Sequence, residues 1–167
     1  MLPSNNDKIF TEKQEEDLVD LLCSLDTNTK IYIGSDSVRF KKGGKKYFRV
    51  CTVCVVHMNG KNGCKVFKYR SNHQDYDVKA SSPSLRLMTE VMQTCKLYLQ
   101  IAPLIEGHFV EIHADINPDK KFGSSCAAQQ AAGYILGVTG LDENQIKLKP
   151  ESWCASFSAD HYAHNLE

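Results

Sequence analysis

No stretch of this chain approaches the roughly 18 consecutive apolar residues that a membrane span needs, and residues 1–10 are too polar for a signal peptide. The expectation is a soluble, cytoplasmic protein with no membrane contact. An excess of charge of either sign is also missing, since 20 basic residues face 20 acidic ones. No global positive field draws such a chain onto nucleic acid, so any contact of that kind needs a local patch. Proline (5) and glycine (10) are sparse, and no linker, repeat or low-complexity tract divides the 167 residues. The chain is therefore read as one globular domain, residues 1–29 being a helical extension packed on residues 30–167. Seven cysteines, an odd number scattered through apolar runs, suit buried thiols in a reducing compartment rather than a secreted disulfide framework. The phosphate-cradling Gly-x-x-x-x-Gly-Lys-[Ser/Thr] loop is absent, which excludes the P-loop nucleotide hydrolases. Cys51-x-x-Cys54-x-x-His57 has a zinc-like spacing, but residues three apart in a strand face opposite sides. No feature fixes an oligomeric state.

What is present is a hydrophobic content of 42% laid out in two periodicities. Thr11 and Gln14 form a capping box ahead of Leu18, Leu21, Leu22 and Leu25, which predicts a first helix ending before Asp26. Strands are predicted over residues 30–36, 47–57 and 64–69, with turns at Gly43-Gly44 and between Asn59 and Gly63, an antiparallel meander. There follow a helix over 84–101, a strand over 109–115, a helix over 124–136, a short strand over 146–148 and a helix over 153–164. This order predicts an α/β fold with a mixed five-stranded sheet, antiparallel strands joined to parallel ones, and helices on both faces.

Four acids occupy places where an idle carboxylate is costly. Asp36 ends the β-branched strand Ile31-Tyr32-Ile33-Gly34-Ser35-Asp36, on the same face as Gly34, which leaves space beside it. It also suits a local cap for the turn that follows. Glu90 lies in a helical row with Leu87, Thr94, Leu97 and Ile101, although Arg86, four residues earlier, can pair with it on the surface. In the strand Val110-Glu111-Ile112-His113-Ala114-Asp115, alternation puts Glu111, His113 and Asp115 on one face. Asp115 is then either a site carboxylate or an Asx-turn, and His113 either a proton carrier or a sheet hydrogen-bond partner. Ser124 and Ser125 mark a helix N-terminus suited to a phosphate. Trp153, Phe157, Asp160 and His164 share one helical face, so Asp160 continues an aromatic row.

The order of Asp on the first strand, Glu on the first helix after the meander, Asp on the next strand and Asp on the last helix resembles the ribonuclease H-like superfamily. The stretches IGSDS, RLMTEVM, HADINPD and KPESWCASFSAD are most similar to its small predicted nucleases of the YkuK type. The resemblance covers about residue 30 to the C-terminus and implies a metal-dependent nuclease with metal ligands at Asp36, Glu90, Asp115 and Asp160. The extra N-terminal helix departs from the familiar ribonucleases H, as does the position of His161 and His164 after the last acid.

Four hard oxygen donors suit Mg²⁺ or Mn²⁺, and two ions roughly 3.5–4 Å apart stabilise the attacking and leaving oxygens of an in-line displacement. The catalytic set is expected to be Asp36, Glu90, Asp115 and Asp160, with His113 assisting. Substrate contacts are expected at Ser124 and at the hairpin residues Arg39, Lys41, Lys42, Lys45 and Lys46, which otherwise read as a solvated turn. The partner is then RNA, DNA or a hybrid. The alternative is a catalytically silent module of the same fold that binds nucleic acid or a protein.

Overall fold

A computed structural model of the chain describes residues 8–77 and 83–165, so the outer ends of the expected domain, 1–7 and 166–167, lie outside the described residues. The capping box forms as the sequence predicts, and it starts helix α1 (Glu12–Cys23), whose Leu18 and Leu22 are buried. Three antiparallel strands follow: β1 (Lys30–Lys42), β2 (Lys45–His57) and β3 (Cys64–Gln74). Helix α2 (Ser84–Ile101) leads to β4 (Phe109–Ala114), α3 (Ala128–Thr139) and the short β5 (Ile146–Lys147). The chain then makes a π-helical turn, Cys154–Ala159, continued by α4 (Asp160–His164). The sheet order is β3-β2-β1-β4-β5, with β1 parallel to β4 and β4 parallel to β5, the mixed five-stranded arrangement that the element order implies. Among the described residues no helix is long and apolar enough to cross a membrane.

β3 runs past its expected end at residue 69 to Gln74, and α3 begins at Ala128 after a 3-10 turn and not at residue 124. Two further differences bear on the site. β1 and β2 pair as far as Lys42 and Lys45, well past Asp36, because Gly43 and Gly44 adopt φ of 56° and 75° and close a two-residue turn. The last helix is the second. Its buried row is Cys154, Ala155, Ala159 and Ala163, while Phe157 is 71% exposed and Trp153, half-exposed, packs its ring on Tyr32 and His113. The π turn changes the phase of the helix, so the expected aromatic row is broken at Phe157.

Gly34 explains why the inward row is small. A Cβ there would lie 3.0 Å from the Ala155 backbone nitrogen and 3.1 Å from both the Ala155 Cβ and the His113 carbonyl. The space beside Asp36 is therefore filled by the returning chain. On the opposite face Ile31 and Ile33 join Leu18, Leu22, Leu97 and Ile101 in one cluster, and Ile112 joins Leu87, Val91 and Ile135 in a second. Cys51 and Cys54 fall in clusters on opposite faces, as strand alternation requires, and all seven cysteines are free.

Candidate active site

Because β1 and β4 are parallel with Ser35 opposite Ala114, the next residues, Asp36 in mid-β1 and Asp115 just past the end of β4, emerge side by side where the parallel pairing stops. Open α/β sheets place ligands at such an edge. Glu90 reaches it from α2, buried at 3% exposure. Asp160 arrives from the first residue of α4.

The acids act on one another. The Asp36 carboxyl is pushed up to about 7, first by burial, then by the Asp115 charge, and further by the charge of Asp160 and a side-chain hydrogen bond with it. The Ser37 backbone N–H, which donates to Asp36 at 2.7 Å, opposes the rise. Glu90 is held well above the usual carboxylate range by burial and by Asp36, with Asp115 adding to the effect and Arg86 and Ser37 opposing it. Asp36 thus links the other three: it feels the charges of Asp115 and Asp160 and adds its own to Glu90.

Each is also tied down locally. Ser37 Oγ donates to Glu90 Oε1 at 2.5 Å, and Arg86 Nη1 donates to the same oxygen at 2.9 Å and to Ser37 Oγ at 2.8 Å. The Arg86–Glu90 pair is therefore partly buried and anchored to β1, not the surface contact considered from spacing alone. Lys149 Nζ lies 3.0 Å from Asp115 Oδ1, which also accepts a hydrogen bond from Ser156 Oγ. His164 Nε2 lies 3.2 Å from Asp160. Behind the acids, Thr94 Oγ1 donates to the Glu90 carbonyl at 3.0 Å and shares a 2.7 Å hydrogen bond with Ser35 Oγ, which shares another of 2.8 Å with Thr52. This buried polar chain clamps α2 onto β1 at the level of the site. Among the described residues no three His, Cys, Asp or Glu side chains stand in an arrangement able to hold a metal ion.

A cleft of about 450 Å³ opens at the cluster, lined by Asp36, Asp115, Arg86, Lys149, Pro83 and Ser124 among others. Ser124 lies where expected, though in a 3-10 turn (Gly123–Ala127) that precedes α3, and its hydroxyl accepts from the Asn117 N–H at 3.0 Å. His113 does not reach the cleft. Its ring is fully buried, Nδ1 accepts the Cys154 N–H at 3.0 Å, Nε2 meets Glu111 at 3.1 Å, and burial lowers its pKa. A neutral imidazole with both nitrogens engaged holds the π turn in place and has no free nitrogen for carrying a proton to solvent. Arg39 is paired with Asp75 at 2.7 Å and Asp77 at 3.4 Å. Lys41, Lys42, Lys45 and Lys46 are exposed at the far end of the hairpin, outside the lining of the acidic cleft.

Sequence reasoning missed Lys149 and Ser156, because their pairing with Asp115 is made only by tertiary folding. Ser37 carried a signal in its position directly after Asp36. A protein-family model described as Ribonuclease H-like matches residues 16–164, which include all five strands and all four acids. No curated protein and no solved structure matches the chain.

Proposed function

Because the chain belongs to the ribonuclease H-like family, whose members have nuclease or related nucleic-acid functions, we propose that it is a nuclease hydrolysing phosphodiester bonds of RNA or DNA with divalent cations. The observation that carries this reading is the gathering of acids where the β1–β4 pairing stops, with Asp115 and Asp160 raising Asp36, and Asp36 and Asp115 raising the buried Glu90. The donor set fits Mg²⁺ or Mn²⁺: the donors are hard oxygens, and positive charge among them would relieve the repulsion that otherwise keeps a proton on Asp36 up to about pH 7. Two such ions, when bound, supply water activation and stabilise charge on the attacking and leaving oxygens.

In this reading Asp36 and Asp115 are the most direct ligands, and Glu90 and Asp160 complete one ion each. Arg86 and Ser37 orient Glu90, and Ser156 orients Asp115. Lys149, at the cleft wall, exchanges its contact with Asp115 for a non-bridging phosphate oxygen of the substrate. Ser124 lines the same cleft and takes a second phosphate contact. His113 is a positioning residue: its hydrogen bond from Cys154 fixes the turn that carries Ser156 and delivers Asp160. Lys41, Lys42, Lys45 and Lys46 hold the backbone of the substrate farther out, while Arg39 is committed to bracing the hairpin through Asp75 and Asp77. The likeness to the YkuK type rests on the four quoted stretches. A cytoplasmic location belongs to the same proposal, supported by Cys51, Cys54, Cys95 and Cys154 as buried free thiols.

One observation favours the second reading, a silent binding module. Glu90 and Asp115 already have cationic partners in Arg86 and Lys149, Asp160 has the His164 ring 3.2 Å away, and no three of the described acids stand ready around one ion. The experiment that separates the two is cleavage of end-labelled single-stranded RNA, single- and double-stranded DNA, RNA–DNA hybrid and a branched junction, with Mn²⁺, Mg²⁺ or EDTA. Metal-dependent products, reduced at least about a thousand-fold in Asp115→Asn with the fold intact, are expected of the nuclease. A folded protein that cuts none of them is the silent module.

A further inference from the structure

The hairpin that runs beyond the acid cluster has two unlike sides. The pairings Asp36↔Cys51, Val38↔Arg49, Phe40↔Tyr47 and Lys42↔Lys45 put Phe40, Tyr47, Arg49, Lys42 and Lys45 on the face that carries Asp36, and Arg49↔Asn72 adds Asn72 from β3. The Phe40 and Tyr47 rings stack with centroids 5.7 Å apart and planes at 20°, and the Arg49 guanidinium lies 5.4 Å from the Phe40 centroid. These side chains line a groove of about 630 Å³ with no acidic residue in its lining. A second groove, about 300 Å³, shares the edges of Phe40 and Tyr47 but also contains Asp75 and Asp77, which engage Arg39, beside Lys41 and Lys46. Acidic side chains therefore offset part of the positive charge on that side, whereas the groove on the side of Asp36 has none in its lining.

A row of stacked rings capped by a guanidinium and flanked by lysines matches two features at once, flat π faces and a chain of negative charges. Unpaired nucleic acid offers both. An acidic peptide offers only the charge, and a duplex keeps the faces of its bases inside its own stack. Phe40 lies four residues past Asp36 on the same strand, about 13 Å at ~3.3 Å per residue. A stacked strand advances about 3.4 Å per nucleotide, so that distance corresponds to roughly four nucleotides.

We infer that Phe40, Tyr47 and Arg49 form a stacking platform for an unpaired base of single-stranded nucleic acid, about four nucleotides from the phosphate presented to Asp36 and Asp115. The identity of that second end rests on the nuclease reading; the platform does not.

The test is equilibrium binding in EDTA, so that metal-dependent cleavage does not intrude, using fluorescein-labelled single-stranded RNA, single-stranded DNA and a DNA duplex of about 12 nucleotides. The wild type is expected to bind one or both single strands more tightly than the duplex. Phe40→Ala and Tyr47→Ala each weaken single-strand binding about 5- to 100-fold and leave duplex binding unchanged. The paired change Lys41→Ala with Lys46→Ala, on the opposite side, weakens all three alike. As a check that needs no substitution, the wild type is photo-crosslinked to a strand containing 5-bromouracil, and an adduct on Phe40 or Tyr47 is expected. Absence of wild-type binding, equal affinity for duplex and single strand, folded alanine variants that bind as the wild type does, or adducts confined elsewhere would each overturn the platform. A protein that binds through Phe40 and Tyr47 yet cuts nothing retains the platform and loses the nuclease. Metal-dependent cutting with platform variants of unchanged affinity does the reverse.

Discussion

On one face of β1, Ile31 and Ile33 share a cluster with the long side chains of Leu22, Leu97 and Ile101; on the other, Tyr32 and Gly34 meet Cys154, Ala155 and Ala159, and Asp36 follows them on that face. The first face gains stability from volume, because each buried branched side chain removes a large apolar area from water. The second gives up volume for proximity. Small residues let the C-terminal turn approach the sheet backbone, and that approach brings Ser156 to Asp115 and Asp160 to Asp36. One face holds the fold together while the other positions charges that work against it.

Substitutions on the two faces are therefore expected to separate stability from activity. The largest stability change belongs to the first face: Ile33→Ala, at a site with no exposure, is expected to cost about 2–5 kcal/mol in chemical denaturation. Cleavage per folded molecule stays near wild type, and an equal loss of activity would erase the distinction between the faces. Gly34→Ala is smaller in stability, about 1–3 kcal/mol, because its Cβ meets the Ala155 backbone, which must shift. It is expected to lower activity per folded molecule about tenfold or more by displacing the turn that carries Ser156 and Asp160. Full activity in that variant would break the claim that close approach serves the site.

The smallest effect has the opposite sign. Asp36 has a folded-state pKa of about 7 against an ordinary value of 3.8, so between those values the folded chain keeps a proton that the unfolded chain releases. Its contribution is fully present below about pH 4 and is lost as pH rises through about 7. Asp36→Asn removes that loss. The variant is expected to melt with the wild type near pH 4 and on the order of 5 °C above it at neutral pH without metal. A variant that melts below the wild type at neutral pH would mean that the cluster is not self-repelling.

Much of this was legible in the sequence for definite reasons. Alternation in Val110 to Asp115 and the Leu87, Glu90, Thr94, Leu97 row report burial directly, so the mixed five-stranded sheet, the inward-facing Glu90 and the place of Asp115 at the end of β4 follow from local pattern. The extension of both hairpin strands to Lys42 and Lys45 was hidden because Arg39, Lys41 and Lys42 read as a solvated turn, whereas the paired glycines and the Phe40–Tyr47 stack sustain the strands. The π turn was hidden because a regular helical period places Phe157 inward. His113 looked free for chemistry until the Cys154 N–H was placed against it. Lys149 and the Ser35, Thr52 and Thr94 chain depend on register and tertiary contact, on which a single sequence is silent.

The central claim is that Asp36, Glu90, Asp115 and Asp160 make one cation-binding centre. Calorimetric titration of Mn²⁺ into the wild type and into Asp115→Asn at neutral pH tests it most directly. The wild type is expected to give saturable binding with proton release and a raised melting temperature, all lost in the variant. Identical titrations of the two folded proteins would contradict it.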